Sequence, residues 1–280
     1  MSTQTLSTPP NLGALYRKAV LTGFGRHGRE LPDVELELRD VSVDVERLAD
    51  YDRVCGFTLR DELPATYVNV LAFPLQVKLM TDPSFPFPLP GLVHIRNTIT
   101  QFRPVRAEEA LSFRVRAADL RPHERGKQFD VVSEVFVGDE LVLRAIGTML
   151  RRGGGSGERS RSAAAEPPPA SAVWRVPVDI GRRYAAVSGD INPIHMNNLA
   201  AKAFGFPRSI AHGMWTKAHC LAAFEGRLPA SFTVDAQFKT PILLPSKVAF
   251  WASREGEGWS FGVHDAKKGK PHLSGSVQPA

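Results

Sequence analysis

Apolar and polar residues alternate with period two in two separate stretches of the chain, each broken into short runs. In the first, Leu92-Val93-His94-Ile95-Arg96-Asn97-Thr98-Ile99 leads into Gln101-Phe102-Arg103-Pro104, and residues 111–116, 129–137 and 141–149 follow. In the second, Phe232-Thr233-Val234-Asp235-Ala236-Gln237-Phe238 ends on Lys239-Thr240-Pro241, and residues 248–253, 259–264 and 273–277 follow. Alternation of this kind puts successive side chains on opposite faces, so each stretch predicts an antiparallel meander. Helical spacing replaces it at residues 197–204 and, unbroken, at 213–227. In the first stretch residues 71–80 read as a shorter helix, closed by Asp82-Pro83 and the run Phe85-Pro86-Phe87-Pro88-Leu89-Pro90-Gly91.

The two stretches repeat each other. Upstream of each meander, Tyr51-Asp52-Arg53-Val54-Cys55-Gly56 lines up with Tyr184-Ala185-Ala186-Val187-Ser188-Gly189. Between the copies lies Gly-Gly-Gly-Ser-Gly followed further on by Pro167-Pro168-Pro169, a composition that makes a linker, first flexible and then stiff. The expected organisation is a first unit over residues 11–151, a linker over 152–170 and a second unit over 171–280. A duplicated unit within one chain predicts a pseudo-twofold pair, with a homodimer of such chains left open. The class is α+β, each unit being one helix wrapped by a strongly curved antiparallel sheet.

Composition narrows the functional classes. A hydrophobic fraction of 43% supports a packed core. The net charge of +6, from 35 Lys and Arg against 29 Asp and Glu, is modest, and part of it falls in the linker at Arg152, Arg159 and Arg161. No basic stripe interleaved with aromatics is present, so no nucleic-acid partner is expected. Attraction of an anionic small molecule or acidic carrier protein accounts for the charge as well as solubility does. The first ten residues have no charged and apolar leader pattern, no apolar run spans a membrane, and Cys55 and Cys220 have neither metal nor disulfide spacing; these features predict a cytoplasmic protein without membrane insertion. Gly23-Phe24-Gly25-Arg26-His27-Gly28 precedes no convincing helix and predicts no nucleotide cofactor. No His/Cys cluster has zinc spacing, so no metal is expected.

The most informative run is residues 184–195, which places Asp190 and His195 five positions apart across Asn192-Pro193. A continuous helix would put positions i and i+5 on different faces, and Pro193 biases Asn192 away from helical torsions. The segment is therefore expected to be a shaped loop able to aim a carboxylate and an imidazole into one pocket, as proton transfer near neutral pH requires. Asp-x-Asn-Pro on its own is also common turn chemistry. Here Tyr184, Ser188 and Gly189 precede it, and Phe206-Pro207-Arg208-Ser209-Ile210-Ala211-His212-Gly213-Met214 follows and opens a helix. This order over residues 184–214 resembles the hydratase-2 signature of MaoC-like dehydratases, hot-dog-fold enzymes that hydrate 2-enoyl thioesters or dehydrate 3-hydroxyacyl thioesters.

The resemblance implies a double hot-dog fold, a thioester of coenzyme A or acyl-carrier protein as substrate, an (R)-3-hydroxyacyl product and no cofactor. Asp190 would activate the water and His195 pass the proton to C2, with the reverse split left open because both groups touch one water. The N–H of Gly213, at a helix start, would stabilise the thioester oxygen; a glycine needed only for packing is the alternative. Tyr184, Ser188, Gly189, Asn192, Pro193 and His212 are expected to support or line the site. His27, His94, His123, His219, His264 and His272 have no telling acidic partner and are expected at the surface or in the core. Arg103, Arg106, Arg208 and Lys239 stand near predicted element ends, where solvated charge and phosphate contact are both open. The first half lacks Asp-x-Asn-Pro-x-His after Gly56, and in double hot-dog hydratases a degenerate half of this kind makes room for the acyl tail. The alternative is that Phe85 and Phe87 fold back and fill that space. A hot-dog thioesterase and a non-catalytic acyl-binding subunit are the competing functional classes.

Overall fold

A computed structural model of the chain describes residues 1–22, 30–153 and 167–280. The glycine-rich run from Gly23 to Gly28, with His27, and linker residues 154–166, with Arg159 and Arg161, lie outside the described residues. The first half comprises β1 (Ser2–Leu6), α1 (Leu12–Thr22), β2 (Val34–Val41), α2 (Val45–Cys55), α3 (Ala65–Leu71), α4 (Phe73–Met80), β3 (Leu92–Gln101), β4 (Leu111–His123), β5 (Gly126–Val137) and β6 (Glu140–Arg152). The second comprises β7 (Ala172–Val176), α5 (Ile180–Ser188), α6 (Pro193–Met196), α7 (Asn198–Ala203), α8 (Gly213–Ala222), β8 (Phe232–Phe238), β9 (Ser246–Glu255), β10 (Gly258–Asp265) and β11 (Pro271–Pro279).

Eleven strands form one sheet in the order β1-β2-β4-β5-β6-β3-β8-β11-β10-β9-β7. Apart from β1, the order reads alike from either end, so β3 answers β8, β6 answers β11, and β2 answers β7. This is the duplicated pair predicted by the repeat and the double hot-dog implied by the resemblance. The first ten residues, left outside the first unit by the sequence, carry β1, which pairs in parallel with β2 from Ser2↔Val34 to Leu6↔Leu38.

The halves meet along an antiparallel β3–β8 ladder running from Arg96↔Gln237 to Gln101↔Phe232. At its centre Thr98 Oγ1 and Arg96 Nε both donate to Asp235 Oδ1, at 2.6 and 2.7 Å. Lys217 of α8 is fully buried beneath this seam and donates to the Asn97 carbonyl, Asn97 Oδ1 and the Val234 carbonyl at 2.9, 2.6 and 3.3 Å. Three acceptors for three N–H groups are what make a buried ammonium tolerable. They also fix α8 against both halves.

The matched helices form for matched reasons. In α2 the Asp44 carboxylate accepts the N–H groups of Glu46 and Arg47, and Leu48, Tyr51 and Cys55 form a buried stripe. In α5 the stripe is Ile180, Tyr184 and Val187. Each helix ends on a left-handed glycine, Gly56 at φ 89° and Gly189 at φ 78°, a conformation with no Cβ penalty only for glycine. The two helices pack together, with the Tyr51 and Tyr184 rings 6.2 Å apart. Trp215 Nε1 and His219 Nδ1 of α8 donate to the Val54 and Cys55 carbonyls at 3.0 and 2.7 Å, satisfying acceptors that a helix end leaves open.

The central helices depart from expectation in both halves. The helix expected over 213–227 stops at Ala222, where the Ala223 and Phe224 N–H groups bond three residues back and the chain tightens into turns. The first-half helix is longer than its apolar spacing suggested but is split into α3 and α4, because Pro74 supplies no N–H at the junction. Phe85 and Phe87 do fold back: both are buried, with ring centroids 5.2 and 5.7 Å from Phe129 of β5. The space beneath the proline-rich run is thus filled, as the alternative reading held.

Candidate active site

The chain around residue 190 is built from its turn chemistry. After α5 terminates at Gly189, Ser188 Oγ donates to the Tyr184 carbonyl at 2.7 Å and accepts the Asp190 N–H at 3.2 Å. Asn192 keeps the extended torsions that Pro193 imposes (φ −56°, ψ 122°) and accepts the Ile194 N–H at 3.4 Å. Pro193 then occupies the first position of the single-turn helix α6, where its missing N–H costs nothing. His195 therefore projects from a helical turn rather than from the continuous loop the sequence suggested.

His195 Nδ1 lies 2.8 Å from the Ile210 carbonyl. A carbonyl can only accept, so Nδ1 carries the hydrogen and Nε2 is left as the basic nitrogen. His212 makes the complementary choice: its Nε2–H donates to the Asp190 carbonyl at 3.0 Å. The His195 and His212 rings stack with centroids 3.6 Å apart and planes 26° apart, and Tyr184 backs His212 at 5.0 Å. Burial, reinforced by the neighbouring His195, pushes the His212 imidazole down to about 3, and burial also lowers His195 against the pull of Asp190. Both rings are neutral near pH 7. Burial pushes the Asp190 carboxyl up, but the two imidazoles, the Tyr16 hydroxyl and the Asn192 amide outweigh it and hold it below the usual carboxylate range. With the imidazoles neutral, the hydrogen bonds are the part of that effect that persists.

One carboxylate oxygen of Asp190 and one nitrogen each of His195 and His212 lie within 4.8 Å of one another. The spacing suits a shared water. It suits a shared cation poorly, because imidazole lone pairs lie in their ring planes and two nearly parallel planes 3.6 Å apart do not converge on one point.

Gly213 is the first residue of α8, and no side chain caps that helix end. Its N–H belongs to the group that helix geometry leaves without an internal acceptor, at the positive end of the dipole. The residue also has a packing reason to be glycine: an added Cβ would stand 2.9 Å from Phe238 Cδ1.

These groups open into a cavity of about 280 Å3. Asp190, His195, His212 and Gly213 line it from the second half, and from the first half an apolar arm of its wall is made by Val70, Phe73, Val77, Met80, Leu89 and Leu92. The first half thus contributes an apolar wall of the cavity; within its proline-rich run Phe85 and Phe87 are packed away while Leu89 reaches the cavity. Lys239 and Arg152 also line the cavity. Arg103 is held by Glu109 and Glu140, Arg106 by Asp61 and Glu108, and Arg208 by the Pro245 carbonyl, so the structure leaves Lys239 alone of the four cations considered among the cavity walls. His94, placed by default in surface or core, lines the cavity against Phe238, and burial lowers it to about 4. Sequence reasoning missed Tyr16 altogether. Its hydroxyl reaches Asp190 across 174 residues, and a lone tyrosine on a helix with no matching segment in the second half carries no signal of that contact.

Comparison with known proteins sets this geometry in a family. Residues 161–275 match the model of the MaoC-like domain. The 3-hydroxyacyl-thioester dehydratase X of Mycobacterium tuberculosis is 39% identical over 253 residues, 89% of this chain and 90% of that protein. The crystal structure of HtdX from M. tuberculosis superposes with a TM-score of 0.80 at 37% identity, covering 88% of this chain and 100% of that one. A conserved hypothetical protein of M. tuberculosis described as having a double hot-dog fold is similar in fold alone, with a TM-score of 0.53 at 13% identity over 85% of this chain and 92% of that one.

Proposed function

We propose, from the premise that this chain belongs to the MaoC-like dehydratases, that it interconverts 2-enoyl and (R)-3-hydroxyacyl thioesters in fatty-acid metabolism. The observation that carries the reading is the pairing of an ionised Asp190 with a His195 whose tautomer is fixed by the Ile210 carbonyl, both facing a cavity with an apolar far end. In the hydration direction the water that attacks C3 gives up one proton to Asp190. That proton is relayed through His195 Nε2, which is free to accept it, to C2, so that both groups return to their starting forms. Both groups reach the water from one side, which supports addition of its two parts to the same face.

As C3 is attacked, charge builds on the thioester oxygen. The Gly213 N–H at the start of α8 supplies a donor there, worth about 3 kcal/mol in barrier height. Asn192 and Ser188 hold the loop, while His212 braces the plane of His195 and the backbone of Asp190. The acyl tail lies in the arm beside α4, so the first half serves binding and the second chemistry. The carrier, coenzyme A or acyl-carrier protein, leaves past Lys239 and Arg152. Since one chain provides both hot-dog units, the site is complete within it. Two free buried thiols, Cys55 and Cys220, suit the reducing cytoplasm, where we place the enzyme; no described helix is long and apolar enough to cross a membrane.

The test follows the conjugated absorbance of a 2-enoyl-CoA together with free-thiol detection and chiral analysis of the product. Loss of conjugation without thiol release, giving the (R) alcohol, is expected. Thiol release would identify a thioesterase, an unchanged spectrum a binding subunit, and an (S) product would overturn the stereochemical assignment.

A further inference from the structure

The helix α1 lies in the first half and has no described counterpart in the second, yet it is docked on the second-half loop that carries Asp190. Asn11 Oδ1 accepts the Ala14 N–H at 2.9 Å and starts the helix, whose N-terminal side is fed from β1, itself laddered onto β2. Leu12 sits against Gly189 so closely that a Cβ there would stand 2.4 Å from Leu12 Cδ1. One turn further on, the Tyr16 hydroxyl donates to Asp190 Oδ1 at 2.8 Å, and the same oxygen accepts the Asn192 N–H at 3.2 Å.

The two carboxylate oxygens are therefore unlike. Oδ1 is committed to two donors. Oδ2 lies 3.8 Å from His212 Nε2, whose hydrogen is spent on the Asp190 carbonyl. We propose that Tyr16 is a positioning residue for the reaction: its hydroxyl ties down one oxygen of Asp190, so that the other is presented to the reacting water and the carboxylate stays ionised. The helix α1 is then a strap by which the first half completes a site carried by the second. Burial, reinforced by the neighbouring carboxylate, raises the hydroxyl above its ordinary value, so Tyr16 remains a donor through neutral pH. A tyrosine serving only to seat α1 would need its ring alone, and phenylalanine supplies the ring.

This inference rests on the hydratase reading, and its test separates the two. In Tyr16→Phe, kcat should fall roughly 10-fold or more, the loss expected when a hydrogen bond to a charged group is removed, with KM nearly unchanged. The acid limb of the kcat–pH profile should move to higher pH, because the carboxylate has lost a donor that favours its charged form. Thermal unfolding of wild type, Tyr16→Phe, Asp190→Ala and the double variant reads the same bond without turnover: Tyr16→Phe should lower Tm only while Asp190 is present. An active wild type, an inactive Asp190→Ala and a Tyr16→Phe enzyme with unaltered kcat and acid limb would overturn the role of Tyr16 and leave the hydratase reading standing. A wild type that hydrates nothing would overturn the hydratase reading, and additive Tm shifts in the cycle would then dispose of the contact as well.

Discussion

The two halves leave their first helix by the same exit and then part company. Gly56 and Gly189 both take the left-handed conformation, and Tyr51 and Tyr184 both sit in the core one and a half turns earlier. After Gly56 the chain is used as a fastening: the Thr58 N–H and Oγ1 donate to Glu225, in the turns that follow the other half's central helix, each at 3.1 Å. After Gly189 the same exit delivers Asp190 and, past Pro193, His195 into the cavity. A duplicated scaffold therefore fixes where a loop emerges, while a few residues beyond the cap decide whether it enters the cavity or holds the halves together. The central helices divide in the same way. The broken α3–α4 pair supplies apolar lining of the cavity, and α8 starts on an uncapped glycine beside His212.

The sharpest way to break this division of labour is to remove the second half's side chains. Asp190→Asn and His195→Gln should each lower kcat/KM for enoyl-CoA hydration by about 10³-fold, in the range lost with a general acid or base, while circular dichroism and Tm stay close to wild type. Activity within about tenfold of wild type, a barrier change of only ~1.4 kcal/mol, would remove either residue from the chemistry. Placing a methyl group on Gly213 separates its two uses. Gly213→Ala should destabilise the fold by about 1–3 kcal/mol through overpacking against Phe238 and depress turnover with it. Adding Phe238→Leu should restore both, because the backbone N–H survives the substitution; turnover that stays low in a fully stable double variant would point to a need for glycine beyond room.

Acid should undo the second half through its buried imidazole. His212 is held near 3 in the fold, against about 6.5 in an unfolded chain, so between those values the unfolded state binds more protons. The stability this residue contributes is present above pH 6.5 and is lost at about 1.4 kcal/mol per unit as pH falls below it. Tm measured from pH 7 to 5 should drop less steeply in His212→Gln, and an unchanged slope would contradict a neutral, buried ring. The smallest expected effect concerns the first half. Each methylene that enters the arm contributes up to ~0.8 kcal/mol, so kcat/KM should climb from four-carbon to longer enoyl substrates before levelling off. Val77→Phe should flatten that climb while sparing the four-carbon substrate. A profile already flat in wild type would mean that Phe85 and Phe87 have closed the space and that the arm beside α4 takes no acyl chain.

The amino-acid sequence by itself determined the class, the duplication and the segment that carries the proposed site. Period-two runs predicted eight of the strands, seven of them to within three residues at each end and β4 seven residues short of its end at His123, since a sheet with one buried face forces apolar residues onto alternate positions. The edge strands β1, β2 and β7 were not identified. The Gly-Asp-Ile-Asn-Pro-Ile-His run announced a shaped segment because proline and glycine act through local torsions, which the chain carries wherever it folds. Tertiary structure decided what no local rule encodes. It set the His195 tautomer, through a carbonyl 15 residues away, stacked His212 on that ring, and brought Tyr16 to Asp190 from 174 residues upstream. It also decided that the proline-rich run would fill one space beneath the first sheet while α4 left another open. Those outcomes depend on how two units and a strap pack around a shared seam, and a contact between distant residues leaves no periodicity behind in the sequence that makes it.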